Sequence, residues 1–290
     1  MFRKLCKYEF KSIVRTLAPI YLAVIAVSII NMFMGVGSLT NGYYDTLLSS
    51  INFGKSLLSL IQMVSILAYF GVLVALSVLT LIVIIQRFYK GLLCDEGYLM
   101  FTLPVKPWML IAAKGTTAFV MSLASGLTAA ISIMLLVLGA VGPTEFIHAI
   151  TSPQVWEVIN RSLSQVPSWP LLVFEIIILS IISGLSQLYH LYFAMALGHL
   201  ANKHRIMMSV VAFIVTSMII SFFSGFVMIM IGNAPFIDSI GSMVDSMSNA
   251  QGVAFIMNMT FLASIFCSII ELAIFFFGTE RILSTRLNLE

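Results

Sequence analysis

The chain has 290 residues, of which 60% are hydrophobic and 9% charged, with a formal net charge of +3. Soluble domains carry about 25% charged residues, so this composition excludes an ordinary soluble enzyme. The small positive charge is no signature of nucleic-acid binding, because the charges are clustered by position and not along one basic stretch.

Residues 1–16 come first. Phe2, Leu5, Cys6, Phe10, Ile13 and Val14 recur at helical spacing and continue into Leu17, while Lys4, Lys7, Lys11 and Arg15 lie mostly off that face. This predicts a short amphipathic helix in the membrane interface, its cations directed at anionic head groups. Pro19 suits the first turn of a new helix, so a turn from lying flat to spanning is expected there. No small-residue cleavage site follows, so the segment is expected to be retained.

Six apolar runs follow: 17–34, 57–85, 116–141, 171–197, 207–231 and 253–277. Each meets the roughly 17–25 residues needed to cross the hydrocarbon core. All are too long and continuous for barrel strands. The expected fold is all-α: one polytopic domain over residues 1–290 with six transmembrane helices.

The charges test this count independently. Thirteen of the fifteen lysines and arginines fall before run one, between runs two and three, between runs four and five, or after run six. Only Lys55 and Arg161 lie in the other loops. The positive-inside rule then puts both termini in the cytoplasm of a multi-pass protein. Cys6 and Cys94 fall on that side and Cys267 in the sixth run, which leaves no outer disulfide and no metal-ligand spacing.

The outer loop from Gly142 to Pro170 carries a helical pattern over Pro153–Leu163, and Trp156 and Trp169 suit headgroup depth. The inner loop 86–110 is unusually apolar for a connector. Asp95 and Glu96 stand at the start of a short predicted helix, Gly97 to Leu103 continue it, and Pro104 and Pro107 end it. Such a helix must bury its face against the spans or on a partner.

The stretch DEGYLMFTLPV (Asp95–Val105), preceded by RFYK (Arg87–Lys90), resembles bacterial permease subunits of the type-2 ABC exporter family. The N-terminal KYEFKSIVRTLAPIY (Lys7–Tyr21) resembles the start of the same permeases, and the likeness covers the whole chain. The resemblance implies an N-terminal elbow helix and a coupling helix seated in a groove of a separate ABC-type ATP-binding subunit. The contact strip would be Asp95, Glu96, Gly97, Tyr98, Leu99, Met100, Phe101, Thr102, Leu103 and Pro104. It also implies a second permease half, the same or a different chain, and the cytoplasmic membrane of a bacterium. No cofactor is expected on this chain, and ATP would act through the partner. Gly54-Lys55-Ser56 is no P-loop, because Ser49 stands where the first glycine is required.

Ionisable groups inside spans are functional candidates. Ser180, Ser183, Gln187 and His190 follow one helical face of the fourth run, with Glu175 off that stripe. Thr260, Ser264, Ser268 and Glu271 form a similar stripe in the sixth, and Ser122, Ser125 and Ser132 mark the third. These faces line either a translocation path, a seam between permease halves, or ordinary helix contacts built from small hydroxyl residues. His190 reads as a proton relay or as a histidine bonded to Gln or Ser. Glu175 lies near enough to the outer interface for solvation to be expected.

Two other functions compete. An ion-coupled carrier often shows inverted repeats and helices broken near the midplane; no convincing internal repeat is present and spans two to six lack mid-span proline, although Gly71, Gly126, Gly184 and Gly225 permit bends. An intramembrane enzyme would need a motif such as GxSxG, and Gly184-Leu185-Ser186-Gln187-Leu188 lacks the second glycine. The substrate is not legible, although Ser, Met and aromatic residues suit an amphipathic peptide, a lipid-like compound or a hydrophobic drug.

Overall fold

A computed structural model of the chain describes residues 2–33, 52–93, 106–164, 166–201, 204–232 and 235–285. Among them every regular element is helical: α1 (Phe2–Phe33), α2 (Asn52–Phe88) with a π-helical turn (Tyr89–Leu93), α3 (Pro107–Val141), α4 (Pro143–Thr151), α5 (Pro153–Ser164), α6 (Trp169–His199), α7 (Arg205–Gly232), α8 (Pro235–Asp245) and α9 (Asn249–Thr285). Six of these are long and apolar enough to cross a membrane: α1, α2, α3, α6, α7 and α9. The protein is an all-α polytopic membrane protein, as the hydropathy requires.

Prolines start the first three described helices after the second span. Pro107, Pro143 and Pro153 each occupy the first helical position, where a missing N–H loses nothing and the fixed φ is already helical. Pro107 therefore opens α3, which begins nine residues before the apolar run at 116. The helical pattern read over 153–163 is present as α5, and a second short helix, α4, precedes it.

Pro19 does not turn the chain. The structure has one helix from Phe2 to Phe33 where the sequence predicts an interfacial helix and a separate span. The reason is a buried stripe that crosses the proline in phase: Glu9, Ile13, Leu17, Val24, Ser28 and Asn31. Packing along that stripe offsets the lost i→i−4 bond and ring clash, which cost about 3 kcal/mol in an unsupported helix. Lys4, Lys7, Lys11 and Arg15 are exposed, as expected, but Phe2 and Phe10 are exposed with them. At 1.5 Å per residue α1 is about 48 Å long, more than the hydrocarbon core is thick.

The chain divides into two compact units. One comprises Arg3–Ile84 and Val120–Trp156. Here α1, α2 and α3 face one another along stripes of near-heptad spacing: Tyr69, Leu76, Thr80 and Val83 on α2, and Met121, Ser125, Thr128 and Ser132 on α3. Ile13, Leu17, Val83 and Met121 form an apolar cluster with Val14, Ile20 and Tyr21 against it. Beside it runs a ladder of hydroxyls. Tyr21 Oη and Ser125 Oγ lie 2.7 Å apart, and Thr80 Oγ1 is 2.9 Å from the same Ser125 Oγ. Farther along, Ser132 Oγ bonds Ser28 Oγ at 2.6 Å and Tyr69 Oη at 2.8 Å. Ser65 Oγ then donates to Asn31 Oδ1 at 2.7 Å. Ser125 and Ser132 of the third span are thus helix contacts in this unit, and Gly139 allows α1 to approach: a Cβ there would lie 2.7 Å from Met32 Cα.

The other unit comprises Met1–Phe2, Ile85–Phe119 and Glu157–Glu290. In it α6 packs along both α7 and α9. Its interior is aromatic where the first unit's is hydroxylic. Tyr189 meets Phe276 edge-on at 5.3 Å and Tyr192 at 5.9 Å. The α6–α7 turn is tight, and a Cβ at Gly198 would collide with the Ser209 backbone, so only glycine fits there.

Replacing Ser132 with Ala is expected to lower stability by about 1 kcal/mol, the upper range for a hydrogen bond between membrane helices. Tyr69→Phe added to it should change little, because the two share one bond. Denaturant unfolding of the detergent-solubilised chain measures both, and additive losses would show that the ladder is not coupled.

Candidate functional site

The loop between the second and third spans is the segment the sequence marks out. Residues 94–105, and with them the whole strip Asp95–Pro104, lie outside the described residues. Its two roots are described, and both are buried.

The first root is the π-helical turn Tyr89–Leu93 at the end of α2. Gly91, Leu92 and Leu93 are buried, Leu92 completely. A π turn widens the helix and disturbs its hydrogen-bond ladder, and such turns concentrate at functional sites. The second root is the start of α3, where Leu110, Ile111 and Ala113 are buried.

Lys114 ties the roots together. It sits two turns into α3 and is only 5% exposed. Its Nζ donates to the Arg87 carbonyl oxygen at 3.2 Å, placing a cation at the C-terminal end of α2, where the helix dipole favours one. Gly91 makes the room: a Cβ there would stand 2.5 Å from Lys114 Nζ.

Helix α6 supports this joint from behind. The Tyr192 ring stacks on Phe88 at 3.9 Å with the planes 11° apart. Tyr192 Oη donates to the Lys114 carbonyl at 3.4 Å. His199, the last residue of α6, meets Tyr89 edge-on at 6.2 Å and accepts a hydrogen bond from Arg205 Nη1 at 3.3 Å. A cation, the Phe88–Tyr192 stack and the Tyr89–His199 contact thus meet at the roots of the loop.

The intramembrane candidates are distributed differently from the stripes read on the sequence. His190 is buried between two rings, Phe213 at 4.6 Å and Phe275 at 4.5 Å, both nearly parallel to it. Its Nε2 bonds Thr216 Oγ1 at 2.7 Å, a partner on α7 and not Gln187 or a serine. Gln187 is exposed and Ser183 half-buried, so the Ser180–His190 stripe does not form one buried face. Glu271 is half-buried on α9.

Glu175 departs most from expectation. It is 3% exposed, and its Oε2 has no hydrogen-bond partner among the described residues. Solvation was expected from its nearness to the end of the apolar run. Helix α9, however, begins at Asn249, before the sixth run, and α6 packs along it. Asn258 Oδ1, on α9, is likewise buried without a partner.

Lys114 and His199 escaped the sequence reading. Lys114 counted only as one inner-loop charge, and the start of α3 at Pro107 was the signal that places it inside a helix. Among the described residues no three His, Cys, Asp or Glu side chains come together as a metal-binding group. The chain matches no protein-family model, no curated protein and no solved structure.

Lys114→Met is expected to raise amide hydrogen exchange at residues 89–93 by tenfold or more, the effect of losing a charge-assisted bond worth about 1.5–3 kcal/mol. Unchanged exchange would mean that the lysine does not brace the turn. Glu175→Met should raise stability by about 1–3 kcal/mol, because it removes a buried acceptor without a partner. A lower midpoint in thermal unfolding would show that the carboxylate is satisfied.

Proposed function

We propose that the chain is the permease subunit of an ATP-driven exporter of the type-2 ABC class, embedded in a bacterial cytoplasmic membrane with both termini inside. ATP hydrolysis belongs to a separate ATP-binding subunit, and a second permease half completes the path. The observation that carries this reading is the loop between the second and third spans. An apolar strip with an acidic start, resembling a coupling helix, leaves and re-enters through two buried roots joined by Lys114.

The physics supports a mechanical role. A push on residues 95–104 must move something if ATP binding is to drive transport. A loop on flexible hinges would absorb it. Here Leu92, Leu110 and Ile111 are close-packed and the backbone at Arg87 is held by a cation, so displacement passes to α2, α3 and α6. The groove-bearing partner supplies the chemistry, and this chain supplies the lever.

A second reading is an ion-coupled carrier that works alone. The buried Glu175 carboxylate favours it, since intramembrane acids often carry coupling ions.

Co-purification separates the two. The tagged chain, extracted from its native membrane in mild detergent, is expected to bring down a P-loop ATPase near one-to-one. Phe101→Asp should abolish that capture while the variant still folds and inserts. Full capture by the variant, or gradient-driven uptake into vesicles holding this chain alone, would overturn the exporter reading.

A further inference from the structure

Helices α6 and α9 run in the same direction. His190 and Phe193 lie against Phe275, and Phe193 again lies against Gly278, so their registers advance together. Gly278 lets the Phe193 ring rest on α9: a Cβ there would come within 2.6 Å of Phe193 Cε2. Beyond that contact α6 ends at His199 while α9 continues to Thr285. Between them opens a cleft of about 310 Å³, lined by Phe193, Leu200, Gly278, Arg281, Ile282 and Thr285.

The lining divides by chemistry. Phe193, Leu200, Gly278 and Ile282 form an apolar floor. Arg281 and Thr285 supply the polar groups. The Thr285 hydroxyl donates to the Arg281 carbonyl, which leaves the guanidinium out of that bond. Arg281 is exposed and has no carboxylate partner among the described residues. The neighbouring Glu280 is not part of the lining.

We propose that this cleft is a binding site for one anionic phospholipid. A guanidinium presents paired donors that match a phosphate bidentately. A phosphate on Arg281 places the attached acyl chain on the Phe193–Ile282 floor. The cleft lies at the ends of two membrane-length helices, which is headgroup depth, and basic pockets between such helices select anionic lipids. Its volume falls at the lower bound for small-molecule sites, enough for a phosphate and part of a chain. The site does not depend on the transporter reading. It requires only that α6 and α9 span a bilayer.

Native mass spectrometry of the full chain in detergent, with added phosphatidylglycerol or phosphatidylethanolamine, tests it. The wild type is expected to retain one phosphatidylglycerol under activation that strips phosphatidylethanolamine. Arg281→Gln should reduce that occupancy at least fivefold, and Arg281→Lys, which keeps the charge but loses the paired donors, should recover only part of it. Thr285→Trp, which fills the rim and leaves the charge, should also lose the lipid. Equal retention by Arg281→Gln and wild type would overturn the proposal, as would equal retention of the zwitterionic lipid. Displacement of the bound lipid by glycerol phosphate would assign a free-phosphate site instead. Retention that appears only after deletion of residues 286–290 would assign the cleft to the chain's own end. Both of these results would also overturn it.

Discussion

Helices in a bilayer gain nothing by hiding apolar surface from one another, because lipid tails are as apolar as leucine. Whatever associates them must be close packing or hydrogen bonding. The exposed faces of α7 show the consequence: Met218, Ile219, Phe222 and Phe223 stand outward, each more than half exposed. Inside, polarity collects. Ser132 is wholly buried and bonded on both sides, and His190 is buried with its ring nitrogen bonded to Thr216.

The two units meet this requirement with different materials. The one containing α1 uses small hydroxyls, whose short side chains bring backbones close and bond across the gap. The one containing α6 uses rings, stacking Phe88 on Tyr192 and enclosing His190 between two phenylalanines. Rings give large contact areas and definite orientations. A ring-built contact fixes the angle between the elements it joins, and the roots of the loop at 94–105 are built in that way.

Much of the fold was legible because the bilayer imposes a length and an apolar composition on each span. The helix at 153–163 was legible because Pro153 and the periodicity agree. Azimuth was not. Spacing alone puts Ser180, Ser183, Gln187 and His190 on one face, but which face meets a neighbour is decided by α7 and α9. Pro19 misled for a similar reason: its local preference for a turn yields to a stripe of buried residues that only packing discloses. Lys114 was seen as a charge and not as a contact, because a count of cations assigns them to a side of the membrane and says nothing of depth. Glu175 was read as solvated because hydropathy locates the end of a run, not the end of the helix beside it.

The joint built by Lys114, Gly91, Phe88 and Tyr192 draws on three stretches far apart in the chain: the end of α2, the start of α3 and the C-terminal part of α6. Lys114 is common to two of its contacts, donating from Nζ to the Arg87 carbonyl and accepting at its own carbonyl from Tyr192 Oη, and the Tyr192 ring lies on Phe88. A side chain at Gly91 would therefore be felt in three helices at once, because the lysine it displaces is also the residue whose carbonyl Tyr192 holds.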